Sequence, residues 1–522
     1  MRDSARWPSR DPLSHRVSTT PDRTALVDAE TGVVWTYREL DSYANRVARE
    51  LRERVPATES GDSAEPDPSG NSAPRIGLLL SPRPEFVTTL YGAWRLGWTV
   101  ASLNSTLPST NLETLVDRAQ LDVLVCEGDT VSSTRALELP VVQCERLLTD
   151  EPESTTSGRP QPGEGGEMAP ARWDADETAL ILFTSGTTGD SKGVRLTLGN
   201  LTASATASAF RLGVTPGDRW LCCLPVYHVG GLAPAVRSVL YGTTLVVQRS
   251  FDAEETAGVL DEGVTGVSLV PTQLKRLLDA GWTPSSALET VLLGGGPATD
   301  SLLNRAAEAG VPVYPTYGLT ETASQVATAR PEQAREHPGT AGQPLVCTGV
   351  TIVDTDEGEP VEAGQTGEIV VDGPTVTRGY LDETRTDEAF GQWGFHTGDV
   401  GYLDDDRRLW VLGRRDDMIL TGGELVAPEA VRETLVSHPA VEDAAVVGMA
   451  DDEWGERVAA LLVREEKPNE RLSPEVMRQY CRGRLADYEL PKTIAFDDEL
   501  PRTASGTVDR EATRAALRQP EN

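Results

Sequence analysis

Short apolar segments alternate with helical segments through the middle of the chain, and this alternation constrains the fold most strongly. From residue 178 onward the sequence contains the apolar runs ALILFTSG, WLCCLPVYH, TTLVVQ, GVSLVP, TVLLGGG and VPVYPTYG. Strands that alternate with helices predict a mainly parallel sheet with helices on both faces. In such sheets, ligands bind beyond the carboxyl ends of the strands. Several glycine-rich turns of this chain are predicted to lie there.

A change of pattern predicts a domain boundary near Gly413. After about residue 345 the segments become β-rich, and the last hundred or so residues have their own helix–strand pattern. The predicted fold is α/β. Residues 1–413 form a large N-terminal region with doubly covered sheets and a β-rich subdomain. Residues 414–522 form a small, mobile α+β lid domain at the C-terminus.

The N-terminal segment has a clear local signal. Residues 1–55 predict a hairpin followed by a helix, and Thr36 and Glu39 form a capping-box pattern at the start of that helix. Residues 56–74 and 151–170 are rich in Ser, Gly, Pro and acidic residues, which is typical of solvated loops.

Acidic residues dominate the charge. Asp and Glu total 81 against 48 Lys and Arg, the net charge is −33, and lysine occurs only four times. This composition is typical of proteins that stay hydrated in concentrated salt, where self-repulsion is screened. We therefore expect a salt-adapted (halophilic) protein, with an ordinary acidic enzyme as the alternative. The charge argues against binding to nucleic acid or to an anionic membrane.

The cysteines and the N-terminus predict a cytoplasmic protein. The six cysteines have no C-x-x-C spacing, so we expect reduced thiols. The first ten residues lack the apolar core of a signal peptide, and no apolar run is long enough to span a membrane. We expect no membrane insertion, and a homo-oligomer is left open.

The strongest local signal for chemistry is a run of glycines and hydroxyls at Thr184–Gly193, TSGTTGDSKG, directly after an apolar strand. Glycines let backbone N–H groups approach phosphate oxygens, hydroxyls add donors, and Lys192 adds positive charge. The spacing differs from the common P-loop. A flexible turn is the alternative, but a lysine retained in a lysine-poor chain argues against it.

This run resembles the phosphate loop of the adenylate-forming superfamily, which includes acyl-CoA synthetases. Four further segments resemble the motifs of that superfamily and follow in the same order. They are YGLTE at 317–321, HTGD at 396–399, GRRDDMI at 413–419 and PRTASG at 501–506. The resemblance extends from about residue 20 to 510. It implies an acid–CoA ligase that uses ATP, Mg²⁺ and coenzyme A.

The resemblance implies a role for each matched residue. Catalytic roles fall to Thr184, Lys192, Thr320, Glu321 and Thr507, and Glu321 is also the metal ligand. Contacts with the nucleotide fall to Ser185, Gly186, Thr187, Thr188, Gly189, Gly295, Gly296, Pro297, Tyr317, Gly318, Asp399 and Arg414. The position matched by Asp416 is the hinge about which the small domain swings between the two half-reactions. For Asp399 and Arg414, an ion pair in a surface turn is the alternative.

One position departs from the family pattern. The last motif of the family reads Gly-Lys, and its lysine binds the reacting oxygens during adenylation, whereas this chain has Thr507. Without that positive charge, adenylation should be slower by orders of magnitude. Three explanations are open: Lys492, Arg502 or Arg510 replaces the lysine, slow adenylation suffices, or the residue was changed artificially to trap a complex.

The segment LPVYHVGGLAPAVR at 224–237 bears on which acid is activated. A buried arginine at position 237 would need a partner, and a second substrate carboxylate would provide one. Alternatively, Arg237 extends to solvent or pairs with a local acid. With SLVPTQLKRLL, LLGGGPA and YGLTETASQ, this segment resembles o-succinylbenzoate–CoA ligases of menaquinone biosynthesis. The resemblance makes His228, Arg237, Thr272 and Ser324 candidates for substrate contacts; His228 is alternatively a packed core residue.

Two rival functions are open. The first is an aryl or fatty acid–CoA ligase of other specificity, which a pocket without a buried arginine would favour. The second is a catalytically silent nucleotide-binding protein, for which Thr507 would be the signature. Release of pyrophosphate from ATP and an acid separates a ligase from the silent protein.

Overall fold

The computed structural model describes residues 9–55, 73–147, 168–184, 191–451, 453–465, 472–502 and 508–518. The chain divides into two compact units. Unit 1 comprises residues 1–350 and 371–395, and unit 2 comprises residues 351–370 and 396–522.

The described elements are as follows. The helices are α1 Pro12–Val17, α2 Tyr37–Arg54, α3 Pro84–Arg95, α4 Ser109–Ala119, α5 Leu198–Leu212, α6 Val229–Tyr241, α7 Ala253–Asp261, α8 Pro271–Asp279, α9 Asp300–Glu308, α10 Pro331–Glu336, α11 Glu383–Ala389, α12 Pro428–Val436, α13 Pro474–Cys481 and α14 Arg510–Arg518. Short 3₁₀ turns lie at Thr130–Thr134, Cys144–Leu147, Thr320–Thr322 and Arg415–Asp417.

The strands are β1 Thr24–Asp28, β2 Val34–Thr36, β3 Arg75–Leu79, β4 Thr99–Ser102, β5 Val123–Cys126, β6 Val141–Gln143, β7 Thr178–Thr184, β8 Lys192–Thr197, β9 Arg219–Cys222, β10 Thr244–Val247, β11 Gly266–Leu269, β12 Thr290–Leu293, β13 Val313–Leu319, β14 Ser324–Thr328, β15 Thr340–Gly342, β16 Gly349–Val353, β17 Gly367–Asp372, β18 Phe390–Gly391, β19 Gly394–Leu403, β20 Leu409–Arg414, β21 Ile419–Thr421, β22 Glu424–Val426, β23 Val441–Asp451, β24 Gly455–Arg464 and β25 Thr493–Asp497.

The first sheet of unit 1 is mainly parallel, in the order β14-β13-β12-β11-β9-β10-β1-β2. Its central pairs are parallel, and the edge strands β2 and β14 are antiparallel. A core of apolar side chains from β9, β11, β12 and β13 packs against α7, α8 and α9: Leu221, Val267, Val291, Val313, Leu260, Leu274, Leu277, Leu302 and Ala306. Each large apolar side chain so buried stabilises the fold by about 1.5–3 kcal/mol.

The second sheet of unit 1 has the order β6-β5-β3-β4-β7-β8 and is parallel except for the antiparallel pair β7–β8. Helix α2 packs on α3 through a stripe of apolar residues at helical spacing. Gly92 of α3 permits this contact, because a Cβ there would lie 2.9 Å from Val47. Thr36 and Glu39 form the predicted capping box.

Unit 2 contains two sheets. In the first, the order of the strands is β20-β19-β17-β16, and β19 and β20 are antiparallel. In the second, β23 and β24 form a long antiparallel pair, flanked by β21–β22 and by β25. Alternate residues of β23 point to opposite faces, as the period of a strand requires. Ala444 and Val446 pack with α12 and α13, whereas Ala445 and Val447 pack with α14.

The structure confirms the predicted fold class, with a large α/β part and a small C-terminal α+β part. The compact units place residues 351–370 and 396–413 with the C-terminal residues, whereas the predicted boundary lies at Gly413. That boundary and the mobility of the lid stay predictions. Within the described ranges, no helix combines the length and apolarity needed to cross a bilayer. Most of the two predicted solvated loops lies outside the described residues.

Candidate active site

The predicted site residues of unit 1 follow the carboxyl ends of neighbouring strands. β9, β11, β12 and β13 lie side by side and run parallel. The segment after β9 carries His228, the one after β11 carries Thr272, and the one after β12 carries Gly295–Pro297. Thr320 and Glu321 follow β13. Because parallel strands end at one edge of their sheet, these residues share the edge at which such sheets bind ligands.

Close packing and backbone conformation explain two of the three glycines that follow β12. A Cβ on Gly294 would lie 2.7 Å from Cγ2 of Thr316 on the neighbouring strand β13. Gly295 has a φ of +77°, a conformation that glycine adopts without strain. Gly295, Gly296 and Pro297 are exposed, so their backbone groups are available to a ligand.

The turn after Tyr317 is strained. A Cβ on Gly318 would lie 1.8 Å from the carbonyl oxygen of Ser324, so only glycine fits there. Ala323 and Ser324 have φ values of +52° and +122°, which L-residues rarely adopt. Ser204 of α5 stabilises the turn, since its hydroxyl donates to the carbonyl of Ala323 at 2.7 Å. Strain of this kind concentrates at functional sites.

Glu321 is a buried carboxylate with a neutral partner. Its side chain accepts a hydrogen bond from the hydroxyl of Tyr380 at 3.0 Å, and its backbone carbonyl accepts one from Thr377 N at 2.7 Å. Glu321 is only 8% exposed, yet it forms no ion pair with any described residue. Mg²⁺ is commonly held by one or two carboxylates together with substrate phosphates and waters. Glu321 therefore fits a metal ligand, although the described residues form no cluster of three or more protein ligands.

Lys192 begins the strand that follows the glycine-rich run. β7 and β8 pair so that Thr184 lies opposite Lys192, and the ends of the run are thus fixed by a hairpin. The Lys192 ammonium lies 5.4 Å from the centre of the Tyr380 ring, within range of a cation–π interaction. The residues between them that were predicted to bind phosphate, Ser185, Gly186, Thr187, Thr188 and Gly189, lie outside the described residues.

Arg237 is a buried cation that has no anionic partner within the described ranges. It lies in α6 with 6% of its surface exposed. The guanidinium donates to Ser208 Oγ at 3.0 Å and to Gln325 Oε1 at 3.1 Å, and no described carboxylate pairs with it. Burial lowers the pKa of Arg237. The alternatives from the sequence, an arginine that extends to solvent or pairs with a local acid, are wrong for the described residues.

The other residues predicted to contact the substrate are more exposed to solvent than Arg237. His228 is the residue before α6, and its ring packs on Tyr227 with centroids 4.5 Å apart. Part of the His228 ring stays exposed, while desolvation of the rest lowers its pKa. Its alternative assignment, a packed core residue, is therefore wrong. Thr272 is exposed in the first turn of α8, and Ser324 is half-buried at the start of β14.

In unit 2, Asp399 and Arg414 lie opposite each other on β19 and β20 and form an ion pair with an N–O distance of 3.2 Å. Arg414 also donates to the carbonyl of Thr397 at 2.7 Å. Asp399 is buried and Arg414 is exposed. The predicted ribose contacts are therefore held together before any ligand binds.

Another buried carboxylate, Glu368 on β17, supports the part of β19 that carries Asp399. It accepts hydrogen bonds from the backbone N–H of Gly398 at 3.1 Å and from Arg415 at 3.1 Å, and its other contact is His396 Nδ1 at 3.2 Å. Because Gly398 precedes Asp399, Glu368 fixes the backbone that presents the Asp399 carboxylate.

The predicted hinge lies between two anchored residues. Asp416 is exposed in the turn Arg415–Asp417. Arg415 pairs with Glu368 at 3.1 Å, and Asp417 pairs with Arg510 of α14. Asp416 itself forms no hydrogen bond or ion pair with a described residue.

The three cations that could replace the family lysine each have a partner. Arg510 pairs with Asp417, Arg502 pairs with Asp443 at 2.7 Å, and the Lys492 ammonium lies 3.8 Å from the centre of the Trp454 ring. Thr507 itself lies outside the described residues.

Sequence reasoning missed three side chains that the structure places beside predicted site residues. Tyr380 contacts Glu321 and Lys192, Gln325 contacts Arg237, and Glu368 binds the backbone of β19 next to Asp399. Tyr380 and Glu368 are distant in sequence from the residues they support, and neither belongs to a motif with recognisable spacing. Gln325 directly follows Ser324, so its position next to a candidate residue was the one available signal.

The strained turn, the glycine-rich loops and the hairpin that ends in Lys192 are typical of enzymes that bind the phosphates of a nucleotide. The sequence profile of the family described as AMP-binding enzyme matches residues 13–381. The profile described as AMP-binding enzyme C-terminal domain matches residues 431–507. The chain therefore belongs to the AMP-binding enzyme family.

Its similar relatives carry a more particular description. A 2-succinylbenzoate–CoA ligase from Bacillus pumilus is 36% identical over 502 residues, which is 95% of this chain and 96% of the relative. The structure is similar, with a TM-score of 0.84 and 32% identity, to o-succinylbenzoate CoA synthetase (MenE) from Bacillus subtilis in complex with the acyl-adenylate intermediate OSB-AMP, and 98% of each chain is covered. The same Bacillus subtilis enzyme in complex with ATP and a magnesium ion matches with the same TM-score and identity over 97% of this chain and 99% of that one.

Proposed function

We propose that this protein is a 2-succinylbenzoate–CoA ligase that works in two half-reactions. A carboxylate of 2-succinylbenzoate attacks the α-phosphorus of ATP, pyrophosphate leaves, and a mixed anhydride with AMP forms. The thiol of coenzyme A then attacks the acyl carbonyl, AMP leaves, and the thioester forms. We propose, from the sequence resemblance, that this reaction belongs to menaquinone biosynthesis. We further propose that it occurs in the cytoplasm, because all six cysteines are free thiols.

One observation carries the proposal: the near full-length similarity, at 36% identity, to a ligase named for this acid. This similarity extends over 95% of the chain, so it does not depend on the identity of any single residue. The site geometry supports it, because the strand ends that bind ligands in α/β sheets carry the matched motifs.

We assign the phosphate end of the nucleotide to residues of unit 1. The Glu321 carboxylate would hold Mg²⁺, which offsets phosphate charge when bound. Lys192 would contact phosphate oxygens as a point charge, and Thr184 and Thr320 would add hydroxyl donors. Gly295, Gly296, Pro297, Tyr317 and Gly318 would lie along the adenine and the acyl group.

We assign the ribose hydroxyls to Asp399 and Arg414 of unit 2, whose ion pair keeps both side chains in place. We also propose Asp416 as the hinge of a lid formed by residues 414–522. Its two neighbours form ion pairs with different elements: Arg415 pairs with a residue of β17, and Asp417 pairs with a residue of α14. A single exposed residue between two anchors is suited to absorb a change in φ and ψ.

We propose that Arg237 recognises the carboxylate of the substrate that does not react. A buried guanidinium with only neutral partners is unfavourable, and a bound carboxylate would neutralise it. The cavity beside Arg237 has a volume of about 20 Å³, which holds about one water. A carboxylate would therefore reach Arg237 only when neighbouring side chains move. His228, Thr272 and Ser324 are proposed as further substrate contacts.

The test is thioester formation, followed by mass spectrometry, with ATP, Mg²⁺ and coenzyme A at low and at molar salt. The acids are 2-succinylbenzoate, benzoate and a medium-chain fatty acid, and Thr507→Lys is assayed beside the natural sequence. We expect product with 2-succinylbenzoate only, and a rate about 10²–10³ times higher in Thr507→Lys, because the lysine restores positive charge at the reacting oxygens.

The other outcomes contradict specific parts of the proposal. Product with another acid would assign a different substrate within the family. An equal rate in both proteins would mean that another cation, of which Lys492, Arg502 and Arg510 are the candidates, already supplies the charge. ATP binding without pyrophosphate release in either protein would establish a catalytically silent nucleotide-binding protein instead.

A further inference from the structure

We propose that Tyr380 is a positioning residue that keeps the Glu321 carboxylate available to a divalent metal and the Lys192 ammonium available to phosphate. The inference rests on the proposed function. Tyr380 is 3% exposed, its hydroxyl donates to Glu321 Oε1 at 3.0 Å, and the Lys192 ammonium lies 5.4 Å from the centre of its ring. One aromatic side chain thus contacts both groups.

The backbone around Tyr380 joins the two sheets of unit 1 at this point. Val194 of β8 and Tyr380 form an antiparallel bridge, and Leu381 N donates to the carbonyl of Gly193 at 2.8 Å. On the other side, Thr377 N donates to the carbonyl of Glu321 at 2.7 Å. The segment 377–381 therefore fixes the position of the turn that carries Glu321 relative to the start of β8. Tyr380 is oriented by this backbone before any ligand binds.

Gly193 leaves room for the same contact. A Cβ at this position would lie 2.5 Å from Leu381 Cδ1. A larger residue at position 193 would therefore displace the Leu381 side chain, which follows Tyr380 in the chain. The glycine next to the phosphate-loop lysine therefore has a packing role in addition to any effect on the loop.

The chemistry of a phenol suits this position. If an arginine or lysine contacted Glu321, it would neutralise the carboxylate and compete with a metal ion. A neutral hydroxyl orients one carboxylate oxygen and leaves the net charge of the group intact. The face of the ring attracts the Lys192 ammonium by a cation–π interaction, and Lys192 and Glu321 form no ion pair with each other in the described structure. Tyr380 therefore keeps two opposite charges apart, so that each is free for its own part of the nucleotide.

Metal binding tests this role without relying on turnover. Free Mn²⁺ is measured by electron paramagnetic resonance in the presence of α,β-methylene-ATP, an analogue that cannot release pyrophosphate. We expect Tyr380→Phe, which keeps the ring and removes the hydroxyl, to weaken Mn²⁺ binding about tenfold, as is usual for side chains that orient a metal ligand. Glu321→Gln should weaken Mn²⁺ binding more than Tyr380→Phe does.

Tyr402→Phe is the matched control. Tyr402 stacks on Trp410 with centroids 5.7 Å apart, and its hydroxyl forms no hydrogen bond with a described residue. We expect no change in Mn²⁺ affinity from this variant. As a check on folding, the transfer of the acyl group to coenzyme A is measured from chemically prepared acyl-adenylate. In Tyr380→Phe, the rate of this transfer should fall far less than the rate of adenylation.

Two results would overturn the inference. If Glu321→Gln weakens Mn²⁺ binding and Tyr380→Phe binds like the wild type, Tyr380 does not position the ligand, although the proposed function stands. If neither variant differs from the wild type, the metal role of Glu321 in the proposed function fails as well. A loss in Tyr402→Phe equal to that in Tyr380→Phe would also contradict a specific role for Tyr380.

Discussion

Two buried arginines of unit 1 differ in their surroundings. Arg95 of α3 is paired with Asp11 at 3.2 Å and with Asp41 at 2.7 Å, and it also donates to Asn45 at 2.7 Å. Arg237 of α6 has only neutral partners. Burial alone would lower the pKa of Arg95, but its two aspartates raise it, whereas the pKa of Arg237 is lowered. Arg95 is thus neutralised by its two aspartates, whereas Arg237 has no anionic partner among the described residues.

The same contrast separates two of the buried glutamates, Glu368 and Glu321. Glu368 contacts Arg415, His396 and a backbone N–H, whereas Glu321 receives its side-chain hydrogen bond from a neutral phenol. Charges whose partners are internal hold structure together. Charges that are buried without counter-ions are unfavourable unless a ligand supplies one. Glu321 and Arg237, at the proposed site, have no charged partner among the described residues, and substituting them separates charges that hold the fold from charges that serve the site.

The largest effect is expected from Arg95→Met. It removes the counter-ion of the buried Asp11 and the partly buried Asp41, so we expect the free energy of unfolding to fall by about 3–5 kcal/mol. The measurement is thermal denaturation monitored by circular dichroism. Arg38→Met is the control, because its ion pair with Asp22 is exposed and such pairs contribute little. A melting temperature equal to that of the wild type would show that the Arg95 network is not structural.

Glu321→Gln should affect activity and leave stability nearly unchanged. Glutamine can still accept the hydrogen bond of Tyr380, and no cation loses its partner. Adenylation, measured as pyrophosphate release, should fall about 10²–10³-fold, because charge that develops on the phosphates is no longer offset. Glu332→Gln, at an exposed position of α10, is the matched control. A large loss of stability in Glu321→Gln would contradict the distinction between structural and functional charges.

The sequence predicted the fold because its signals are local. Alternating apolar strands and helices predicted the parallel sheet, and the pair Thr36 and Glu39 predicted the start of α2. The glycine-rich turns were correctly placed at the carboxyl ends of strands, since the direction of a parallel strand follows from the order of the chain.

The sequence could not predict contacts between distant segments. Tyr380 meets Glu321 from 59 residues away, and no periodicity encodes that approach. The partners of Arg237 come from α5 and β14, 29 and 88 residues away. Its burial was anticipated as one possibility, but its neutral surroundings depend on packing that only the folded chain defines.

Arg237→Met makes the same substitution as Arg95→Met, but at a buried arginine that has no anionic partner among the described residues. Its melting temperature should change much less, because no buried anion is left behind. For 2-succinylbenzoate, kcat/KM should fall about 10–100-fold, the range of a hydrogen bond to a charged group. For 4-oxo-4-phenylbutanoate, which lacks the aromatic carboxylate, kcat/KM should change little. Equal losses with both acids would mean that Arg237 holds α5, α6 and β14 together instead of binding the substrate.

The smallest effect is expected from the pH dependence at His228. The pKa of His228 is lowered in the folded protein, so between that value and the ordinary value near 6.5 the unfolded chain binds more protons than the folded one. Stability from this residue is therefore present above pH 6.5 and is lost as the pH falls below it. We expect the melting temperature of the wild type, relative to that of His228→Gln, to be higher at pH 7.5 than at pH 5.5. A constant difference across this range would mean that the imidazole titrates alike in the folded and unfolded chain, and that the loop before α6 does not desolvate it.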